Sequence, residues 1–407
     1  MICRMCKGAA LRKFLDLGSM PPADQFVTAA RLREPIIHYP LEVFSCLDCG
    51  LAQLGCVVAP EILYQDDYPY ESSTTLSGRA HWAEFAETAV AMLALRSSDL
   101  VVDIGCNVGV LLEAFRARGT RILGVDPAAN IAEIARQRGV NTLVDFFDVP
   151  VAQRIVAANG QAAAITATNV FAHVDDLDAF MRAAGILLRQ DGTLIIEAPY
   201  FQNLIDNLEY DTIYHEHLSY LSLTPLVSFF RRHGFAVFDV QRRPIHGGSF
   251  RVFTSRVGVR PATAIVDEMC HAEAWAGLHS ADFLDRFAAQ VATNRRDLVW
   301  LLQSLKHEGA RIAGVSAPAK GMTLLNYCRI GPETLDFVTE KAGLKIGRYT
   351  PGTAIPVVPD GELFRTQPDY ALLLAWNFAE EIMDNLKSYR QAGGKFILPI
   401  PKPRVVD

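Results

Sequence analysis

From Ala80 to Leu95 the apolar residues Trp82, Phe85, Ala86, Ala89, Val90 and Leu93 recur at helical spacing, which predicts one helix with a buried stripe. The period then changes. Short apolar runs at Leu100 to Ile104, Ile122 to Val125, Thr142 to Val144, Ala163 to Thr168 and Thr193 to Ile196 alternate with helical stretches near Val110, near Ala129 and from Leu177 to Leu188. Such alternation predicts a mostly parallel sheet with helices on both faces. Two later runs, Phe235 to Val240 and Phe250 to Thr254, are expected to close that sheet as a hairpin-like pair. A helical stretch from Ala281 to His307 leads to a shorter alternation, with strand-like runs at Arg311 to Val315, Thr334 to Val338, Tyr370 to Leu374 and Lys395 to Leu398. The first 64 residues lack helical periodicity and are rich in turn formers. The pattern therefore divides the α/β chain into 1–64, 65–260 and 261–407, with no visible internal repeat.

Composition changes this picture little. The chain has 407 residues, 50% of them hydrophobic and 21% charged, as an ordinary globular protein of several domains has. A net charge of -6 argues against a broad phosphate-backbone footprint, so no nucleic acid partner is expected. No apolar run of about 18 residues exists to span a membrane.

The cysteines change it more. Cys3-Arg-Met-Cys6 and Cys46-Leu-Asp-Cys49 form two C-x-x-C knuckles. Four thiolates so spaced can close a tetrahedron around one zinc ion, and a site with no open position is structural. Two disulfides are the alternative. The start Met-Ile-Cys-Arg offers no apolar signal segment, so a reducing, cytoplasmic setting is expected and zinc is favoured. Cys56, Cys106, Cys270 and Cys328 stand singly and read as free thiols.

Candidate chemistry lies in two places. Asp103-Ile-Gly-Cys-Asn-Val-Gly109 follows a strand and opens a helix, where backbone approaches a ligand closely. A dinucleotide fingerprint starting at Gly105 needs glycine at 107 and 110, where Asn107 and Val110 stand. An acidic strand end instead suits the cationic amino-acid end of S-adenosylmethionine, and Asp126, at the next strand's end, can accept from ribose hydroxyls. A tight turn with a capping Asp is the bland alternative. The second place is Tyr210-Asp-Thr-Ile-Tyr-His-Glu-His-Leu-Ser-Tyr220, the densest polar cluster in the chain. Ser219 stands where a zincin helix needs its second histidine. A solvated loop is the ordinary explanation of any one of these residues. Their succession beyond a strand end points to chemistry, with Tyr214 and His217 facing a substrate, His215 or Glu216 orienting them, and His173 projecting toward the same crevice.

In order along the chain, the four knuckle cysteines, Tyr68-Pro-Tyr-Glu-Ser-Ser73, Asp103-Ile-Gly-Cys-Asn107, Tyr214-His-Glu-His217, His246-Gly-Gly248, Ala317-Pro-Ala-Lys-Gly321 and Gly347-Arg-Tyr-Thr-Pro-Gly-Thr353 resemble the sugar C-methyltransferases that modify nucleotide-linked 4-keto-6-deoxyhexoses. The resemblance covers nearly the whole chain. It implies a Rossmann-like class I methyltransferase domain between an N-terminal zinc-binding module and a second, C-terminal Rossmann-like α/β domain that holds the nucleotide. It also implies S-adenosylmethionine as methyl donor and Tyr68, His173, Tyr214, Glu216 and His217 as substrate-site residues. Asp103, Gly105, Asn107, Gly109, Asp126 and Asn169 are the expected donor-binding set, and His246, Arg251, Lys320, Asn326 and Arg348 the expected substrate-binding set. One departure stands out: the family's turn usually reads Cys-Asn-Asp-Gly, and Val108 replaces the acid.

The chemistry so implied is C-methylation, with C3 favoured over C5. A carbon beside a ketone becomes nucleophilic once a base removes its proton and the enolate oxygen is stabilised, and His217 suits the base role. An O- or N-methyltransferase needs no such wall. A dinucleotide-dependent oxidoreductase is disfavoured because Gly314-Val-Ser-Ala-Pro lacks the fingerprint, and a non-catalytic zinc-ribbon adaptor is the remaining rival.

Overall fold

The computed structural model describes residues 1–64 and 76–407; Tyr68 and its motif lie outside the described residues, as does the side chain of His246. Strands β1 (Leu11–Met20), β2 (Tyr39–Cys46) and β3 (Ala52–Leu54) form an antiparallel sheet beside the two knuckles. This sheet escaped the sequence pattern for a physical reason. Register shifts between Lys13 and Leu15 and between Asp16 and Ser19 break the alternation of β1, and a two-residue period cannot survive bulges.

The second sheet follows the pattern closely. Strands β4 (Leu100–Ile104), β5 (Arg121–Val125), β6 (Thr142–Leu143), β7 (Ala162–Thr168) and β8 (Leu188–Pro199) are parallel neighbours in the order β8-β7-β4-β5-β6. All five residues of β4 are buried, as expected of a strand covered on both faces. Between β8 and the closing hairpin, Ser219–Tyr220 (β9) leaves this sheet and pairs with β3 across the expected boundary at residue 64. Strands β10 (Phe235–Arg243) and β11 (Ser249–Arg256) then add an antiparallel edge against β8. The predicted first helix, Leu76–Leu93, buries Trp82, Phe85, Ala86, Ala89 and Leu93 against Phe115 and Phe253.

The helix Ala281–His307 connects to the third sheet. Strands β12 (Ile312–Val315), β13 (Val338–Glu340), β14 (Val357–Pro359), β15 (Tyr370–Leu373), β16 (Lys395–Leu398) and β17 (Arg404–Val406) are ordered β14-β13-β12-β15-β16-β17, parallel except for β17. The expected strand from Thr334 becomes one only at Val338: Leu335 and Phe337 bury their side chains from the connecting loop instead. In both large sheets the first strand is central, the second and third lie to one side, and the fourth and fifth to the other. The chain therefore contains an architectural repeat without a visible sequence repeat. Among the described residues no helix is long and apolar enough to cross a membrane.

Candidate active site

Open parallel sheets bind ligands beyond the carboxyl ends of their strands, where the winding reverses. Here both reversal points open into one cavity of about 1170 Å³. Its wall includes Asp103, Asp126 and Asn169 from the second sheet, Ser316, Glu340 and Ala375 from the third, and Asp24 and Tyr64 from the N-terminal module.

On the middle-domain wall, Asp103 lies at 1% exposure and accepts a 2.6 Å hydrogen bond from the Thr166 hydroxyl. Burial pushes its carboxyl up to about 7, with Thr166 opposing and the Asp126 charge contributing. The glycine loop turns tightly: Gly105 has φ +65°, and a Cβ there would lie 2.3 Å from Val170 Cγ2. Gly109, at φ +80°, starts the helix Val110–Ala117 and does not line the cavity; its part is conformational. Asp126 accepts from the Asn107 N–H at 2.8 Å and the Ala128 N–H at 3.0 Å, tying the second strand end to the loop after the first. Val108 is fully buried against Ala128 and Ile131, so the departure from Cys-Asn-Asp-Gly is absorbed into a small apolar cluster. Sequence reading missed Asp145, Phe146 and Phe147, which follow β6 and add an acid and two aromatic rings to the wall. Their signal was the strand end itself.

The polar cluster after β8 sits at the centre. Four rings stand in a row: Tyr64 stacks on His173 at 6.1 Å, His173 meets His217 at 5.0 Å, and His217 meets Tyr214 at 4.0 Å. The Nδ1–H of His217 donates to the Thr212 carbonyl at 2.8 Å. That bond fixes the proton on Nδ1 and makes Nε2 the basic nitrogen. His173 Nδ1 lies 3.2 Å from the Tyr64 hydroxyl. Burial, then the neighbouring His217, holds the His173 pKa well below its ordinary value, so His173 is neutral. Tyr214 and Glu216 also line the cavity. His215 does not orient them: its Nε2 donates to the Tyr39 carbonyl at 3.2 Å, and the ring packs on Tyr39 of the N-terminal module. Tyr64 is a further residue missed from sequence, where it marked only a boundary.

On the C-terminal wall, Lys320 reaches the cavity at the start of the helix Ala319–Cys328. Its Nζ lies 4.0 Å from Asp211 Oδ2 and 4.2 Å from the centre of the Trp376 ring. Burial lowers its pKa, with Asp211 and Glu209 opposing. The other expected cations behave differently. Arg251 is fully buried, 2.7 Å from Glu197 and 3.8 Å over the Phe85 ring, and is absent from the cavity wall. Its place on a strand packed beneath the first helix explains this; Arg243, at the end of β10, reaches the cavity instead. Asn326 spends its amide on the Met322 and Pro351 carbonyls, and Arg348 lies half-buried outside the wall.

The knuckles bring the Sγ atoms of Cys3, Cys6, Cys46 and Cys49 within 4.8 Å of one another. The Cys3–Cys49 and Cys6–Cys46 separations are 3.5 Å. A tetrahedral zinc with Zn–S near 2.3 Å needs edges of roughly 3.8 Å, so the donor set fits zinc. The knuckle also holds the loop that carries Tyr214 to His217. Arg4 donates to the Leu54 carbonyl at 2.8 Å and the Leu218 carbonyl at 3.2 Å, bracketing the β3–β9 pairing one residue beyond His217.

Comparison with known proteins agrees with this three-part construction. Residues 3–64 match a family model described as "Putative zinc binding domain", 79–240 a "Methyltransferase domain" and 244–401 a "C-methyltransferase C-terminal domain". The chain is 36% identical over 409 residues to the C-methyltransferase NovU of Streptomyces niveus, covering 100% of this chain and 96% of that protein. A more local likeness, 32% over 98 residues, covers 24% of this chain and 41% of the ubiquinone biosynthesis O-methyltransferase of Bordetella bronchiseptica. Magnesium protoporphyrin IX methyltransferase from Synechocystis aligns with 46% of this chain and 90% of its own at 16% identity and a TM-score of 0.35.

Proposed function

The chain belongs to the C-methyltransferase family, an S-adenosylmethionine-dependent enzyme with a zinc-binding module, and from that premise we propose that it methylates a carbon beside the ketone of a nucleotide-linked 4-keto-6-deoxysugar, C3 in preference to C5, in the cytoplasm. The observation that carries this reading is the His217–Thr212 bond, which makes Nε2 the basic nitrogen of an imidazole that lines the cavity shared by the middle-domain and C-terminal walls.

His217 Nε2 takes the proton from the sugar carbon. Charge then develops on the ketone oxygen, and the hydroxyl of Tyr214 and the neutral His173 are the groups beside His217 that can meet it. The enolate carbon forms its new bond to the donor's methyl group as the carbon–sulfur bond breaks. Asp103, Asn107, Asp126 and Asn169 orient the donor, while Lys320 offers its ammonium and the adjoining helix start its N–H groups to the diphosphate. Glu216, beside the histidine pair in sequence and on the same wall, favours a proton on the imidazole that has taken it. Tyr68, from the segment outside the described residues, joins this wall by its resemblance alone.

The test is a panel of nucleotide-linked 4-keto sugars incubated with methyl-labelled donor and read by mass spectrometry. A labelled carbon–methyl product from one member is the expected result. Label found only on oxygen or nitrogen would sink the enolate mechanism.

A further inference from the structure

Asp126 closes its strand in a specific way: one oxygen accepts from a backbone N–H of the loop after the first strand, Asn107, and the other from the residue two positions on, Ala128. The third sheet repeats this arrangement at Glu340. That carboxylate ends β13, the second strand of its sheet. Oε2 accepts from the Ala317 N–H in the loop after β12 at 2.8 Å, and Oε1 accepts from the Ala342 N–H, two positions on, at 3.1 Å and from the Lys341 N–H at 2.6 Å. Both loops contain a non-glycine residue of positive φ at or next to the donor: Asn107, the donor itself, at +49°, and Ser316, which precedes the donor Ala317, at +68°. Asp126 and Glu340 both line the shared cavity.

In doubly wound sheets an acid at this strand end receives ribose hydroxyls, while the preceding loop and helix start receive phosphate. The backbone donors fix the Glu340 carboxylate: Oε1 already accepts two N–H groups, whereas Oε2 accepts one and keeps a lone pair for a further donor. Lys320 stands three residues after Ala317, on the phosphate side of the same loop. We propose that Glu340 is the ribose-recognising residue of the C-terminal domain and binds a hydroxyl of the sugar-nucleotide's pentose, as Asp126 is placed to do for the methyl donor. This rests on the reading of that domain as the nucleotide site. The count of pentose hydroxyls is then sensed here, so Glu340 contributes to the choice between ribo- and deoxyribonucleotides.

The experiment uses the full chain and calorimetric titration with UDP, its 2′-deoxy, 3′-deoxy and 2′,3′-dideoxy analogues, and the dTDP pair with and without the 3′-hydroxyl. A hydrogen bond to a charged acceptor is worth on the order of tenfold or more in affinity. In the unmodified protein, removing at least one pentose hydroxyl is expected to weaken binding about tenfold. In Glu340→Gln that difference is expected to collapse, with S-adenosylhomocysteine affinity unchanged. If diphosphates bind but every hydroxyl deletion costs less than about twofold, Glu340 is only a loop brace and the inference is wrong. The same conclusion follows if Glu340→Gln keeps the full hydroxyl dependence. If no nucleoside diphosphate binds at all, the nucleotide reading of the domain falls, and this inference with it. The analogue series needs no variant, so a poorly folded Glu340→Gln protein leaves the test intact.

Discussion

The middle and C-terminal sheets share one winding and one cavity, yet the loops after their first strands carry opposite chemistry. Gly105-Cys-Asn-Val-Gly109 contains no cation, and the wall around it offers Asp103, Asp126 and Asp145. Ser316-Ala-Pro-Ala-Lys320 ends in a half-buried lysine, with Lys345 further along the same wall. A carboxylate wall favours a ligand carrying ammonium and sulfonium; a lysine wall favours a diphosphate. What the two sides keep in common, the tethered acids Asp126 and Glu340, corresponds to what the two ligands would have in common, a pentose. Under the proposed function, one topology would present two nucleoside-type ligands from opposite sides, and the loop that carries His217 between them belongs to neither sheet. That loop is held from a third direction, by β9 on β3 and by Arg4 of the zinc knuckle.

The largest expected effect lies in the loop. His217→Asn keeps polarity but removes the titrating nitrogen, and is expected to lower kcat by about 10² to 10⁴-fold. Exchange of the substrate's α-hydrogen with deuterated solvent is expected to fall in parallel, because the same bond must break. Methylation lost with exchange intact would transfer the base role to Tyr214 or His173.

Next comes the support. Cys46→Ser is expected to release zinc, lower the unfolding temperature by several degrees and remove most activity, since metal binding and local folding are linked. The Cys3→Ser/Cys46→Ser protein assayed by metal analysis gives the decisive reading; stoichiometric zinc retained there would refute the four-thiolate site.

The division of labour between the sheets predicts a crossed pattern in KM. Lys320→Ala is expected to raise KM for the sugar nucleotide about tenfold and leave that for the donor nearly unchanged, and Asp126→Asn to do the converse. Steady-state kinetics with each substrate varied in turn would expose any departure. Equal effects of either variant on both constants would mean that the two walls are not separate sites.

Legibility in the sequence followed the same contrast. Continuous apolar runs such as Leu100 to Ile104 survive as buried parallel strands, and the Leu76–Leu93 helix kept its stripe, so both large domains were visible. The bulged β1 and the two-residue β9 were not, because their pairing is set by partners remote in sequence. Asp103 and Asp126, on strand ends, could be read from the alternation and do line the cavity, as does Asn169, which was expected with the resemblance. Arg251 could not be judged that way. An arginine inside a strand faces a helix or a ligand according to sheet packing, and here it faces Phe85 and Glu197. Glu340 was overlooked because the strand that it ends is only three residues long.

The smallest effect, and the one that most directly separates the two walls, is a pH dependence. Asp103 is held at about 7 by burial, so in the free protein it gains its charge only as the pH approaches neutrality. If its carboxylate meets the donor's ammonium, binding favours the ionised form and must expel a proton below pH 7. The sign follows from linkage: affinity is full above about pH 7 and falls as the pH drops through that value, by at most about tenfold per unit. Titration of S-adenosylhomocysteine between about pH 6 and pH 8 is expected to show this slope, with proton release on the acid side. 5′-Methylthioadenosine lacks the amino-acid end and is expected to bind with little pH dependence, whereas its Asp126 contact remains. Equal slopes for the two compounds would place the titrating group elsewhere and leave Asp103 as a buried partner of Thr166.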